Sequence, residues 1–124
     1  MSHAENKKMI EPGDVIDLYS TEFEQDAETN VANTHWFQVI HLDLDKGKEI
    51  PQHQMPAAIT VQCLSGRVTL FVRDEQKELE SGNWLFLEPF TLHALTAREN
   101  SSLLVTKMNL RKPDHISHLG GSYR

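Results

Sequence analysis

Glycine and proline divide this chain into short segments, and the segments themselves show no clear helical periodicity. They are rich in Val, Ile, Leu, Phe, Thr and Trp and follow one another at intervals of roughly 8–12 residues. Such a pattern is typical of a β-sandwich or a β-barrel. The one weak helical candidate, residues 21–30, is acidic and has few apolar side chains, so we predict an irregular loop there. The predicted fold class is therefore all-β.

Eight strands are expected, at residues 14–18, 35–44, 57–64, 67–73, 77–79, 84–87, 93–96 and 102–109. Gly66 separates two of them as a tight turn. Residues 73–77 are predicted to form a solvated hairpin connection, and residues 81–83 the next turn.

The length and charge of the chain limit both its architecture and its partners. With 124 residues it fits one domain. Hydrophobic residues make up 39% and charged residues 24%, which favours a globular protein over a disordered one. The net charge of −6 gives no general attraction to phosphate backbones or anionic lipids. We therefore expect neither nucleic acid nor a membrane as a partner.

Cysteine usage and the chain ends suggest a location and an organisation. Cys63 is the only cysteine, so no disulfide forms within the chain, and a reducing compartment is favoured. Residues 1–8 are polar and lack the apolar run of a signal peptide, so we expect a cytoplasmic protein. We predict an N-terminal arm with a strand in residues 1–34, a barrel core in 35–110 and a C-terminal tail in 111–124.

Two glycine-to-histidine spacings carry a family resemblance. Five residues separate Gly47 from His53, and twelve residues separate that histidine from Gly66. Ten residues separate Gly82 from His93. These spacings resemble the two signature motifs of the cupin superfamily, G-x5-H-x-H-x3-E-x6-G and G-x5-P-x-G-x2-H-x3-N. The resemblance covers about residues 39–108 and implies a single-domain double-stranded β-helix, or jelly-roll barrel.

The sequence departs from these motifs at two of the positions where the family has its metal ligands. Met55 stands where the family has its second histidine, and Ile59 stands where it has a glutamate. Of the four usual ligand positions, His53 and His93 are kept. The second motif also departs from the pattern at Glu88, Phe90 and Ala97. The chain thus resembles a divergent small cupin with a reduced ligand set.

We predict a ligand site inside the barrel. Alternate side chains of a barrel strand point inward, so if Ile59 points inward, Val61 and Cys63 on the same strand also point inward. The predicted ligand-binding residues are His53, His93, Met55, Ile59, Val61 and Cys63. This lining is mostly apolar with two imidazoles, which is the usual form of a small-molecule site. For Cys63 an inert buried thiol is favoured over a reactive one.

Metal binding is the competing interpretation of the same residues. His53 and His93 would ligate a divalent transition metal such as Fe, Zn, Ni or Cu, although catalytic sites generally supply three or more protein ligands. His41, Asp43 and Glu88 are the further candidates, and alternation alone does not decide whether the face with His41 is interior. The cofactor is left open at this point.

Other side chains have simpler explanations. Trp84, Phe86 and Phe90 are expected mainly to fill the barrel wall, with ligand stacking as the alternative. His115 and His118 are expected to be solvated in the tail. Acidic residues 22–28 are expected to form a solvated loop, with a lid over the barrel mouth as the alternative.

Three functions follow, and the first is favoured. The barrel binds a small, partly apolar ligand with the aid of His53 and His93. Alternatively, the two histidines carry a metal in a dioxygenase-type or isomerase-type enzyme. In the third, structural reading, the barrel is fully packed and the chain pairs through an exposed strand edge near residues 14–18. Family resemblance also leads us to expect a homodimer.

Overall fold

The structure, a computed structural model, describes residues 10–109, and the regular elements of that range are all β-strands. They are β1 (Glu28–Asn33), β2 (Phe37–Leu44), β3 (Glu49–His53), β4 (Ala58–Ser65), β5 (Arg67–Val72), β6 (Glu75–Glu80), β7 (Trp84–Leu87), β8 (His93–Ala97) and β9 (Ser101–Met108). His115, His118 and the predicted tail lie outside the described residues, as do residues 1–9.

The strands form two antiparallel sheets. One has five strands in the order β1-β2-β9-β4-β7, and the other has four in the order β3-β8-β5-β6. Because β3, β4 and β5 belong alternately to the two sheets, the chain crosses between them repeatedly, as a jelly roll does. The predicted all-β jelly-roll fold is confirmed. Within residues 10–109 no helix is long and apolar enough to cross a membrane.

Alternation along the strands builds the core between the sheets. On β4, Ile59, Val61 and Cys63 are 4%, 3% and 0% exposed, whereas Thr60 and Gln62 between them are only half-buried. Each fully buried aliphatic side chain of this kind contributes roughly 1.5–3 kcal/mol. Val61 and Cys63 belong to a central cluster whose other members are Leu44, Val68, Leu70, Leu79, Leu95, Ala97 and Leu103.

Gly66 forms the tight turn between β4 and β5, as predicted. Its φ of +83° lies in the region that favours glycine. The turn sits directly against the start of β9, where Ser101 Oγ accepts a hydrogen bond of 3.0 Å from the Arg67 N–H. A Cβ atom on Gly66 would overlap the carbonyl oxygen of Asn100 and atoms of Ser101. The backbone therefore requires glycine here for two separate reasons.

The other predicted turns differ in length. Residues 81–83 form the expected turn between β6 and β7. The hairpin between β5 and β6 is tighter than predicted, since Val72 pairs directly with Glu75 and only two residues connect the strands. The first of these, Arg73, has a φ of +56°. Residues 75–77 belong to β6. They are polar because β6 is an edge strand and its residues there are exposed to water.

The predicted strand at residues 14–18 is wrong. These residues form turns and irregular structure, and Val15 is 96% exposed. The apolar side chains of Val15, Ile16 and Leu18 are present in the sequence, but this segment pairs with no strand among residues 10–109. The edge beside β2 is occupied instead by β1.

Two strands were not predicted. β1 falls partly within residues 21–30, where we expected a loop, and that expectation holds only as far as residue 27. It is polar because it lies at a sheet edge with one face exposed. β3 contains Pro51, which argues against a central strand. The structure places β3 at the edge of its sheet, where a missing N–H is tolerated.

Candidate functional site

A cavity of about 140 Å³ lies between the two sheets. Its wall is mainly aliphatic, and its polar side chains are two histidines, one lysine and one glutamate. The lining residues are Glu28, Ile40, Leu42, Ile50, His53, Met55, Ile59, Val61, Leu70, His93, Ala94, Leu95, Val105 and Lys107. A mostly apolar wall with a few convergent polar groups is the usual composition of a small-ligand site.

The two histidines of the cavity face each other across neighbouring strands. β3 and β8 are antiparallel, and their register places His53 directly opposite His93. The ring centroids are 4.2 Å apart, and the rings are tilted by 60°. His93 is only 7% exposed, whereas His53 is exposed. The pair therefore extends from solvent into the buried part of the cavity.

Both imidazoles are oriented by the same kind of backbone contact. His53 Nδ1 is 2.9 Å from the carbonyl oxygen of Pro51, and His93 Nδ1 is 2.8 Å from that of Thr91. A carbonyl oxygen only accepts hydrogen bonds, so each Nδ1 must carry a proton and donate it. In the neutral ring this leaves Nε2 as an unprotonated acceptor. The site therefore presents two acceptor nitrogens held in fixed rings.

Burial keeps the inner histidine neutral. Desolvation lowers the pKa of His93, the hydrogen bond to the Thr91 carbonyl opposes this in part, and the neighbouring His53 lowers it further. The neutral form of His93 is therefore favoured around neutral pH.

The remaining predicted site residues do not all reach the cavity. Met55, Ile59 and Val61 line it together with the two histidines. Cys63 also faces inward but lies two residues deeper, beside Leu103 in the packed core, and is fully buried. Its thiol points toward the carbonyl oxygens of Ser65 and Gly66, at 3.4 and 3.8 Å. Burial raises the pKa of this thiol, which suits an inert core residue.

Two charged lining residues were missed by the sequence analysis. Lys107 on β9 follows Leu103 and Val105 at a spacing of two residues, so alternation along the strand would have predicted that its side chain points inward. It pairs with Ile59 on β4. Glu28 is the first residue of β1. Because this strand was not predicted, no sequence pattern indicated that Glu28 faces the cavity. Neither side chain forms a salt bridge within residues 10–109.

The further metal-ligand candidates lie elsewhere. Ile40 and Leu42 line the cavity, so His41 and Asp43 occupy the opposite, outer face of β2. His41 is 2% exposed because Phe23 stacks on it, with centroids 3.8 Å apart. Its Nδ1 has no hydrogen-bond partner among the described residues, and desolvation lowers its pKa against the opposing charge of Asp43. The loop that carries Phe23 also contacts this outer face at Asp26, whose N–H donates a hydrogen bond of 2.9 Å to Asp43 Oδ1.

Glu88 does not join the histidine pair. It lies after β7 on a separate surface depression with Phe86 and Thr91. Residues 10–109 contain no group of three or more His, Cys, Asp or Glu side chains placed to hold a metal ion. Together with Met55 and Ile59 at the motif's ligand positions, this donor set does not fit the three or four protein ligands of a resident divalent ion.

Comparisons with known proteins agree with this architecture. No protein-family model matches the chain. An uncharacterised protein of Methanocaldococcus jannaschii is 30% identical over 88 residues, which cover 67% of this chain and 75% of that protein. A conserved protein of unknown function from Streptococcus pyogenes superposes with a TM-score of 0.72 and 26% identity, covering 85% of this chain and 95% of the other.

The two sheets and the crossovers between them define a fold class, the jelly-roll barrel, and here the barrel has an interior cavity. A cupin superfamily protein of Desulfitobacterium hafniense has the same fold, with a TM-score of 0.70 and 12% identity over 82% of this chain and 95% of that protein. The chain has the cupin fold, which agrees with the resemblance of its two glycine-to-histidine motifs to those of the cupin superfamily.

Proposed function

We propose that this cupin binds a small, partly apolar molecule in the cavity between its sheets, with His53 and His93 as the orienting polar groups. The observation that supports this most directly is the pairing of two acceptor nitrogens with a mainly aliphatic wall. The replacement of two motif ligand positions by Met55 and Ile59 favours the same function, because both side chains enlarge the apolar surface.

The size of the cavity limits the ligand. Its volume of about 140 Å³ is similar to that of an engineered apolar cavity of about 150 Å³ that binds benzene. Sites for larger, drug-like molecules run to roughly 300–1,000 Å³. The ligand body is therefore about one six-membered ring in size, with polar groups toward the exposed His53.

A cavity-filling substitution tests this function. Val61→Phe places a phenyl ring in the space assigned to the ligand. We expect binding of single-ring compounds to fall by at least about 100-fold, because displacing the ring again would cost ~3 kcal/mol. The measurement is ligand-detected NMR titration of tag-free protein with a panel of benzene, phenol and catechol derivatives.

The control is the same substitution on the other face of the same sheet. Val39 on β2 is half-buried and points away from the cavity, since its neighbour Ile40 lines it. Val39→Phe is expected to bind like the wild type. Equal binding by the Val61 variant, or no binding of any single-ring compound to the wild type, would contradict the proposal. Near-stoichiometric Fe, Zn, Ni or Cu that disappears from a His53→Ala, His93→Ala variant would instead support the enzyme alternative.

A second proposal concerns the outer face of the five-stranded sheet. Trp84 and Phe86 on β7 are 55% and 60% exposed, so the expectation that they fill the barrel wall is wrong. Strand pairing places them beside the outward side chains of β4, which in turn lie beside those of β9. These side chains are uncharged: Ala58, Thr60, Gln62, Ser102, Leu104, Thr106 and Met108.

The other sheet has a different outer face. There Arg67 lies across from Glu80, and Thr69 lies across from Glu78. An uncharged, aromatic face on a chain with a net charge of −6 allows two copies to meet without like-charge repulsion. We propose that a second copy of this chain packs on the outer face of β9, β4 and β7 about a two-fold axis, as facing sheets do in sandwiches.

A further inference from the structure

We propose that the ligand is a neutral vicinal diol on a six-carbon body, whose two neighbouring hydroxyl groups donate one hydrogen bond each to Nε2 of His53 and Nε2 of His93. This inference rests on the proposed binding function and specifies its ligand class.

The first step of the argument is the count of donors and acceptors. Because the carbonyl oxygens of Pro51 and Thr91 accept the Nδ1 protons, each ring in its neutral form keeps Nε2 as an acceptor and has no further donor. A single hydroxyl has one proton and satisfies one of these nitrogens. Two adjacent hydroxyl groups satisfy both.

The second step is the spacing of the rings. The centroid separation of 4.2 Å and the tilt of 60° bring the two imidazoles against one small region of the cavity. The donors must therefore sit on neighbouring atoms of one ligand rather than at its opposite ends. Vicinal hydroxyl groups meet this requirement.

The third step concerns the charge of the ligand. Two side chains of opposite charge, Lys107 and Glu28, line the cavity, and neither has a salt-bridge partner among residues 10–109. A charged donor would meet one like and one unlike charge in a wall that screens charges poorly, so a cation gains no net attraction there. A neutral donor is therefore favoured.

The fourth step places the body of the ligand. Val61, Leu70 and Val105 form the aliphatic wall, and the histidine pair extends toward solvent. A six-membered ring packs against this wall while its hydroxyl edge faces the imidazoles. The hydroxyl groups are thereby near the opening and the carbon ring is buried.

The experiment is a methylation series measured by NMR titration at pH 7.5 in the presence of EDTA. Catechol has two donors, guaiacol has one and veratrole has none, while all three keep the ring and both oxygens. We expect the dissociation constant to rise by about 3–10-fold for each donor removed, because one hydrogen bond contributes about 0.5–1.5 kcal/mol. cis-Cyclohexane-1,2-diol is expected to bind, since the donors and not aromaticity are recognised.

Variants of the two histidines complete the test. His53→Phe and His93→Phe each remove one acceptor and are expected to reduce the catechol-to-veratrole preference by about 3–10-fold. His53 is exposed, so its variant stays informative if substitution of the buried His93 impairs folding. Val39→Phe on the outer face of β2 removes no nitrogen and leaves the cavity wall intact, so it is expected to keep the preference.

The possible failures are distinguishable. If veratrole binds the wild type as tightly as catechol, the diol inference is overturned while the proposed ligand site stands. If none of these ring compounds binds, the proposed function itself fails. If catechol binds but both histidine variants keep its full preference, the donors are recognised elsewhere and the inference is again overturned.

Discussion

Gly66→Ala is expected to destabilise the protein by about 3 kcal/mol or more, a large share of the roughly 5–15 kcal/mol that holds a typical domain folded. A left-handed backbone costs a non-glycine residue about 1–2 kcal/mol. At Gly66 this cost is joined by the overlap of the new Cβ with the backbone of Asn100 and Ser101. Forcing such contacts apart adds roughly 1–3 kcal/mol, and the start of β9 would have to move.

A matched glycine separates the two contributions. Gly82 has a similar φ of +92°, but a Cβ atom there would meet nothing within 4 Å. Gly82→Ala is therefore expected to cost only about 1–2 kcal/mol. Urea unfolding curves of the two variants and the wild type provide the comparison. Equal losses of stability in the two variants would mean that the close approach of β9 to the turn is not as described.

Trp84→Glu is expected to convert a dimer of this chain into monomers. A carboxylate on β7 would bring two like charges to the proposed two-fold interface and leave them desolvated. Loss of one central aromatic contact typically costs 2 kcal/mol or more, and the two-fold axis doubles the effect, so association should weaken by at least about 100-fold. Sedimentation velocity over a range of protein concentrations measures this directly.

Phe90→Glu is the control for surface charge. Phe90 is 61% exposed, like Trp84, but lies between β7 and β8, outside the sheet face. This variant should remain dimeric. A wild-type protein that stays monomeric at every concentration would contradict the proposed pairing, and so would equal dissociation by the two variants.

Sequence patterns predicted the parts of the fold that depend on alternation. On β4, the period of two placed Ile59 and Val61 on the inner face, where the structure has them. It failed for β3, because Pro51 indicates a break unless the strand is known to lie at a sheet edge. Edge position is set by the order of the strands, and a local pattern carries no information about that order. Residues 14–18 show the converse, because this segment with apolar side chains has no partner strand among the described residues.

The same limit applies to the candidate site. Alternation states which face a side chain occupies but not how deep it lies, so Cys63 was expected in the cavity and lies in the core beneath it. Lys107 could have been found from its phase with Val105. The protonation pattern of His53 and His93 was beyond reach, since it depends on where two backbone carbonyls end up.

The most direct test of the paired acceptor nitrogens is the side-chain nitrogen NMR spectrum of the histidines at pH 7.5, without ligand and with catechol. We predict that His53 and His93 both carry their proton on Nδ1 and that both Nε2 resonances, typical of a bare nitrogen, shift when catechol binds. A protonated Nε2 on either ring, or catechol binding that leaves both Nε2 resonances unchanged, would contradict this description of the site.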